Sequence, residues 1–134
     1  MAYEYNRIIM NKTIRPTESE LDILSILWEK DSATVREVHE VVQKTKDVGY
    51  TTTLKLMQIM NEKGLVIRNV SSKTHIYTPT LTREKAQEQF VGKMIQTLFS
   101  GSTSQLVLQA LGRQKPSDSD LAEIKSMIQK LERK

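Results

Sequence analysis

Leu21, Leu24, Leu27 and Trp28 recur at steps of three and four residues, the spacing that lays one apolar stripe along a helix. Just ahead of them stands Pro16-Thr17-Glu18-Ser19-Glu20. Thr17 and Glu20 have the spacing of a capping box, in which the hydroxyl takes an orphan amide and the carboxylate reaches back to the cap. A helix is therefore expected to run to about Lys30 and to stop at Asp31-Ser32. Thr34 with Glu37 repeats the device ahead of Val35, Val38, Val41 and Val42, so a second helix follows and fades into Lys44-Thr45-Lys46-Asp47. A third starts at Tyr50-Thr51-Thr52-Thr53 and turns Leu54, Met57 and Met60 inward. It ends at Lys63, where Gly64 supplies a left-handed residue. The period then changes. Residues 65–70 and 74–78 are β-prone around a turn-like Ser71-Ser72-Lys73, which predicts a hairpin closed by Pro79.

Beyond Thr82, a candidate cap, the helical period returns. Ala86, Phe90, Met94 and Leu98 recur every four residues until Gly101-Ser102 breaks the pattern. Leu106, Val107, Ala110 and Leu111 predict a shorter helix ended by Gly112. Ser117 with Asp120 caps a last one carrying Leu121, Ile124, Ile128 and Leu131 at steps of three, four and three, the spacing of a coiled-coil seam. Met1 to Lys12 show no clean periodicity. The expected organisation is an N-terminal arm (1–13), a first domain (14–81) and a C-terminal helical region (82–134).

Three helices followed by a two-stranded hairpin is the order of a winged helix-turn-helix, so the fold expected is mainly α with a small β-hairpin wing. In that arrangement the third helix can enter a major groove while the wing lies on a neighbouring phosphate or in the minor groove. Thr51, Thr52 and Thr53 offer hydroxyls for either polarity of base edge, methyls for thymine and free amides for phosphate. Ordinary N-capping by one of them is the plainer use. Lys55 lies one turn on, and Arg68, Lys73 and His75 bracket the wing. Charge is distributed to match. Residues 17–42 hold seven acidic side chains against two basic, and residues 43–83 hold seven basic against two acidic.

The C-terminal helices cannot easily build a core alone. Pairing with a second copy through Phe90, Met94, Leu98, Leu106, Leu121, Ile124, Ile128 and Leu131 would cover them. It would also set two reading heads on a two-fold axis, matching a palindromic operator. Folding back onto the first domain is the alternative.

Composition removes other classes. The 134 residues contain no cysteine, hence no disulfide and no thiolate metal site. Apolar runs reach two or three residues, far short of a membrane span, and the N-terminus lacks a signal-peptide core, so the expectation is a cytoplasmic protein without membrane insertion. His39 and His75, the two histidines, have no metal-ligand spacing, and no phosphate loop or nucleophile elbow is present. Neither an enzyme nor a cofactor is expected.

The run Pro16-Thr17-Glu18-Ser19-Glu20-Leu21-Asp22-Ile23-Leu24 with Leu27-Trp28 resembles the opening of the penicillinase-repressor (BlaI/MecI/CopY) family. So do Ala33-Thr34-Val35-Arg36-Glu37-Val38, and Gly49-Tyr50-Thr51-Thr52-Thr53-Leu54 leading to Glu62-Lys63-Gly64-Leu65-Val66. The resemblance extends from about Ile14 to Leu131. It implies a homodimeric winged-helix repressor whose recognition helix starts with Thr51, Thr52, Thr53 and Lys55, whose wing carries Arg68, Lys73 and His75, and whose C-terminal helices dimerise. Many relatives have arginine where this chain has Ile59, and often lysine where it has Glu62. Two positive charges are thus missing, with Lys12, Arg15, Lys44 and Lys46 as candidate substitutes. The paired cysteines of copper-responsive members are absent. Where penicillinase repressors are cut at an Asn-Phe bond by a sensor protease, this chain reads Leu106-Val107-Leu108-Gln109-Ala110, which implies resistance to that protease or another cleavage site. The function expected is a homodimeric repressor on double-stranded operator DNA. The alternative is a winged-helix module that binds protein partners and does not read DNA sequence.

Overall fold

A computed structural model describes residues 15–133; the arm expected over 1–13, Ile14 and Lys12 lie outside the described residues. The elements in order are α1 (Glu18–Lys30), β1 (Ala33–Thr34), α2 (Val35–Val42), α3 (Tyr50–Lys63), β2 (Val66–Asn69), β3 (Ile76–Pro79), α4 (Arg83–Thr97), α5 (Thr103–Arg113) and α6 (Asp118–Glu132). Contacts divide the chain into two compact units, meeting between Gln89 and Phe90 inside α4.

Both expected capping boxes form. Thr17 Oγ1 accepts from the Glu20 amide and Glu20 Oε1 accepts from the Thr17 amide; Thr34 and Glu37 exchange the same pair at the start of α2. The Thr34 amide donates to the Glu37 carboxylate at 2.9 Å, and that amide, then the Thr34 hydroxyl, keep its pKa below the ordinary 4.5. Gly64 closes α3 with φ 84°, a left-handed conformation that would strain any residue with a β-carbon.

The core of the first unit is made where the three helical stripes meet the sheet. Ile23, Leu24, Leu27, Val38, Met57, Met60, Leu65, Val66 and Tyr77 are all buried. Glu20 is buried with them, only 2% exposed, and both its oxygens accept from Lys63 Nζ at 2.9 Å. The carboxylate that caps α1 therefore also binds the last turn of α3. Trp28 Nε1 donates to the Leu81 carbonyl at 2.9 Å, and Arg83 stacks its guanidinium over the Trp28 ring (5.6 Å) while pairing with Glu29 at 2.7 Å. These contacts tie the end of α1 to the start of α4.

The sheet is three-stranded and antiparallel in the order β1-β3-β2, with Ala33 opposite Tyr77 and Arg68 also opposite Tyr77 on the other side. β1 has no counterpart in the sequence pattern, since two residues are too few to show a strand period. The hairpin strands are shorter than their β-prone runs, leaving residues 70–75 as the wing tip. Pro79 is the last residue of β3, opposite Val66, and the Thr80 amide beyond it donates to the Leu65 carbonyl at 2.9 Å.

In the second unit, α5 begins at Thr103, capped by the Ser102 hydroxyl, and α6 begins beyond Ser117, which caps through Asp120. Gly112 does not end α5. It sits inside the helix and has no positive φ; the break at the end of α4 instead uses Ser100 (φ 47°) and Gly101 (φ 86°). No residue from Phe90 to Arg133 is buried. No described helix is long and apolar enough to cross a membrane.

Two stability predictions follow from the buried carboxylate and the exposed one. Lys63→Met strands the Glu20 carboxylate in the core and should cost about 3 kcal/mol, whereas Glu20→Gln keeps the shape and should cost about 1–2 kcal/mol, read by urea unfolding. The Glu37 carboxyl ionises more readily folded than unfolded, so its contribution is complete above pH 4.5 and fades as acid protonates it below that value. Glu37→Gln should flatten this part of the acid-unfolding curve.

Candidate nucleic-acid interface

α3 is amphipathic by its own period. Thr53, Met57 and Met60 point into the core, and the opposite stripe exposes Thr51, Lys55, Gln58 and Glu62, with Thr52 exposed beside it. Ile59 is half-buried at the margin of that stripe and Glu62 lies exposed within it. Gln58 is a residue the sequence reading passed over; its i, i+3 relation to Lys55 and i, i+7 relation to Thr51 is the signal that finds it.

The first turn of α3 differs from the starts of the other described helices. Its N-cap is Gly49, no side chain caps it and no acidic residue occupies the turn. α1, α2, α4, α5 and α6 all begin on a Ser or Thr hydroxyl that accepts a backbone amide. None of the three threonines caps α3. The Tyr50 and Thr51 amides stay available, at the end of the helix where the dipole is positive, while the Thr52 amide donates to the Gly49 carbonyl at 3.1 Å.

Thr53 is corrected by the structure. Its side chain is 1% exposed and its hydroxyl is hydrogen-bonded to His39 Nδ1 at 2.9 Å, so it cannot reach a base edge. It fixes α3 against α2 instead. His39 meets the Tyr50 ring edge to face, with centroids 5.6 Å apart, and Arg36 lies 5.9 Å from the same ring. Arg36 and His39 on α2 thus face Tyr50 and Thr53 on α3, two i, i+3 pairs that set the angle between the two helices. The sequence pattern shows His39 only as a histidine without metal-ligand spacing; its bond to Thr53 depends on how α2 packs on α3.

The wing divides its three residues. Lys73 is exposed at the tip, which is shaped by the Asn69 side chain accepting from the Ser71 amide (2.9 Å) and the Ser72 hydroxyl donating to the Thr74 carbonyl (2.7 Å). His75 is also in the tip, immediately before β3, rather than in a strand. Arg68 is half-buried on the strand face it shares with Val66 and Tyr77, and its amide donates to Asn61 Oδ1 at 3.1 Å. Of the possible substitute cations, Arg15 and Lys44 are exposed, while Lys46 is ion-paired with Asp22. That carboxylate raises the Lys46 pKa by accepting its hydrogen bond. Among the described residues no cluster of His, Asp and Glu is placed to hold a metal ion.

Three packed helices, a helix with a free polar face and an uncapped start, and a hairpin with a cationic tip define a winged helix-turn-helix. Comparison with known proteins places the chain within that class. The penicillinase-repressor family model matches residues 16–130, and the chain belongs to that family. It is 21% identical to the penicillinase repressor of Staphylococcus aureus over 92% of this chain and 98% of that protein. It is 30% identical to the transcriptional regulator BlaI of Mycobacterium tuberculosis over 71% of this chain and 67% of that protein. The methicillin resistance regulatory protein MecI of Staphylococcus aureus is 22% identical over 90% of this chain and 98% of its own length. The family is one of transcriptional repressors, not enzymes.

Thr53→Ala should therefore behave as a packing mutant. Loss of the bond to His39 should lower stability by about 1–2 kcal/mol in denaturant unfolding. The ranking of bound DNA sequences should stay as in the parent chain.

Proposed function

We propose that this chain is a homodimeric repressor that reads a palindromic operator through the exposed stripe of α3 and clamps the flanking backbone with its wing. The observation that carries the reading is the stripe itself: Thr51, Thr52, Lys55 and Gln58 project from a helix whose first amides are uncapped. Those amides suit a phosphate, and the hydroxyl, ammonium and carboxamide groups suit base edges and the adjoining backbone. Lys73 and His75 at the wing tip supply backbone contacts, and Arg68 supports the strand behind them.

Dimerisation rests on the second unit. Leu98, Ile128 and Leu131 are 74%, 48% and 59% exposed, and Phe90, Met94, Leu106, Leu121 and Ile124 are half-buried. A second copy supplies the apolar partner that such surfaces lack in a single chain. The Leu106 to Ala110 stretch lies within α5 as regular helix. A helical backbone without the Asn-Phe pair is a poor protease substrate, so we expect an activated sensor protease of this family to leave the bond between Gln109 and Ala110 intact; efficient cutting there contradicts this.

The reading is tested by fluorescence anisotropy on duplexes from the upstream region of its own gene, at several salt concentrations and against random competitor. Thr52→Ala and Gln58→Ala should each relax the preference at one base pair by about 1–3 kcal/mol. Lys73→Ala should weaken specific and random DNA alike and lower the salt slope by about one. If the parent chain binds no duplex at low salt, or if all three variants act identically on both DNAs, the reading fails.

A further inference from the structure

A cleft of about 360 Å³ opens in the first unit between α1, the end of α2, the 43–49 connection and α3. Its walls are Ile23, Ile26, Val42, Val48 and Leu56. Close-packed interiors leave few voids larger than a water molecule, whereas pockets for small molecules begin at about 300 Å³. Three of these walls, Ile26, Val42 and Leu56, also pack against the core, so the cleft is bounded by ordered side chains.

Its polar lining comprises the hydroxyl residues Ser19, Thr45, Thr52 and Thr53 and three charged side chains. The charged ones are Lys44, Lys46 and Asp22, each exposed to solvent or half-buried. Asp22 is committed to Lys46, whereas Lys44 is exposed and has no carboxylate partner among the described residues. Lys44 therefore adds to the apolar lining one ammonium that no described ion pair engages.

We propose that this cleft binds a small amphipathic carboxylate, with a hydrocarbon body of roughly six to ten carbons against Ile26, Val42 and Leu56 and its carboxylate at Lys44. An apolar body alone would leave the ammonium unused, and a compact polar anion would leave the apolar walls wet. Thr52 also lines the cleft, so an occupant touches the first turn of α3 and bears on how Thr51, Thr52 and Lys55 are presented. That consequence rests on the operator reading above; the binding site does not.

The test is a titration of the full chain with sodium octanoate in the absence of DNA, followed through the methyl resonances of its Ile, Val and Leu residues, with 1-octanol as the uncharged probe. Octanoate should shift Ile26, Val42, Val48 and Leu56 together, saturating with a Kd of about 1 mM or tighter. Lys44→Gln should weaken octanoate roughly threefold and leave octanol unchanged. Val48→Trp, which fills the cleft from its rim, should abolish both shifts while the remaining spectrum stays that of the folded chain. The proposal is overturned if octanoate shifts none of these methyls, or if Lys44→Gln leaves its affinity unchanged. Contacts in the ligand-free chain from the Ile26 and Leu56 methyls to residues 1–14, or to a second copy, would also overturn it.

Discussion

The buried carboxylate of Glu20 sets the geometry on which the first unit depends. It closes the capping box of α1 and binds Lys63 in the last turn of α3 with both oxygens. A carboxylate in a core is tolerated only when its lone pairs and charge are met. Here the helix start and the neighbouring helix meet them together, so α1 cannot be placed without placing the end of α3. The Thr53–His39 bond performs the corresponding task at the other end of α3, against α2. A helix held by polar contacts at both ends and by Met57 and Met60 between them presents its outer stripe in one orientation.

That outer stripe explains how a mildly charged protein can be suited to a polyanion. The charge balance of the whole chain is only +4, but three acidic side chains of the first unit are engaged elsewhere: Glu20 with Lys63, Asp22 with Lys46 and Glu37 with the backbone of Thr34. Lys55 and the cationic wing tip remain exposed. With Ile59 and Glu62 in the back half of α3 and Lys63 paired to Glu20, the exposed stripe has no free cation beyond Lys55, which concentrates the proposed DNA contacts between Thr51 and Gln58. There the absence of a cap adds a positive helix end.

Much of this architecture was legible in the sequence because it is written in local chemistry. The Thr17–Glu20 and Thr34–Glu37 boxes, Gly64 after α3 and the change of period at Leu65 each fix an element boundary within a few residues. What depended on packing was not legible. Thr53 has the same side chain as Thr51 and Thr52, and only the position of α2 decides that it turns inward to His39. β1 spans Ala33 and Thr34, and it is a strand only because β3 lies beside it. Gly112 offered a helix stop that the backbone did not take, since glycine also adopts ordinary helical angles. The apolar seam of α6 was visible as spacing, and its exposure in a single chain is what gives that spacing consequence.

In the proposed repressor the outer stripe of α3 and the wing tip meet DNA while the second unit holds two copies together. Amide chemical-shift mapping of the full chain with a duplex from its own upstream region tests this most directly. The predicted result is a continuous set of perturbed amides over residues 49–58 and 70–75, at a stoichiometry of two chains per duplex. Perturbation confined to residues 90–133, or one chain per duplex, would contradict it.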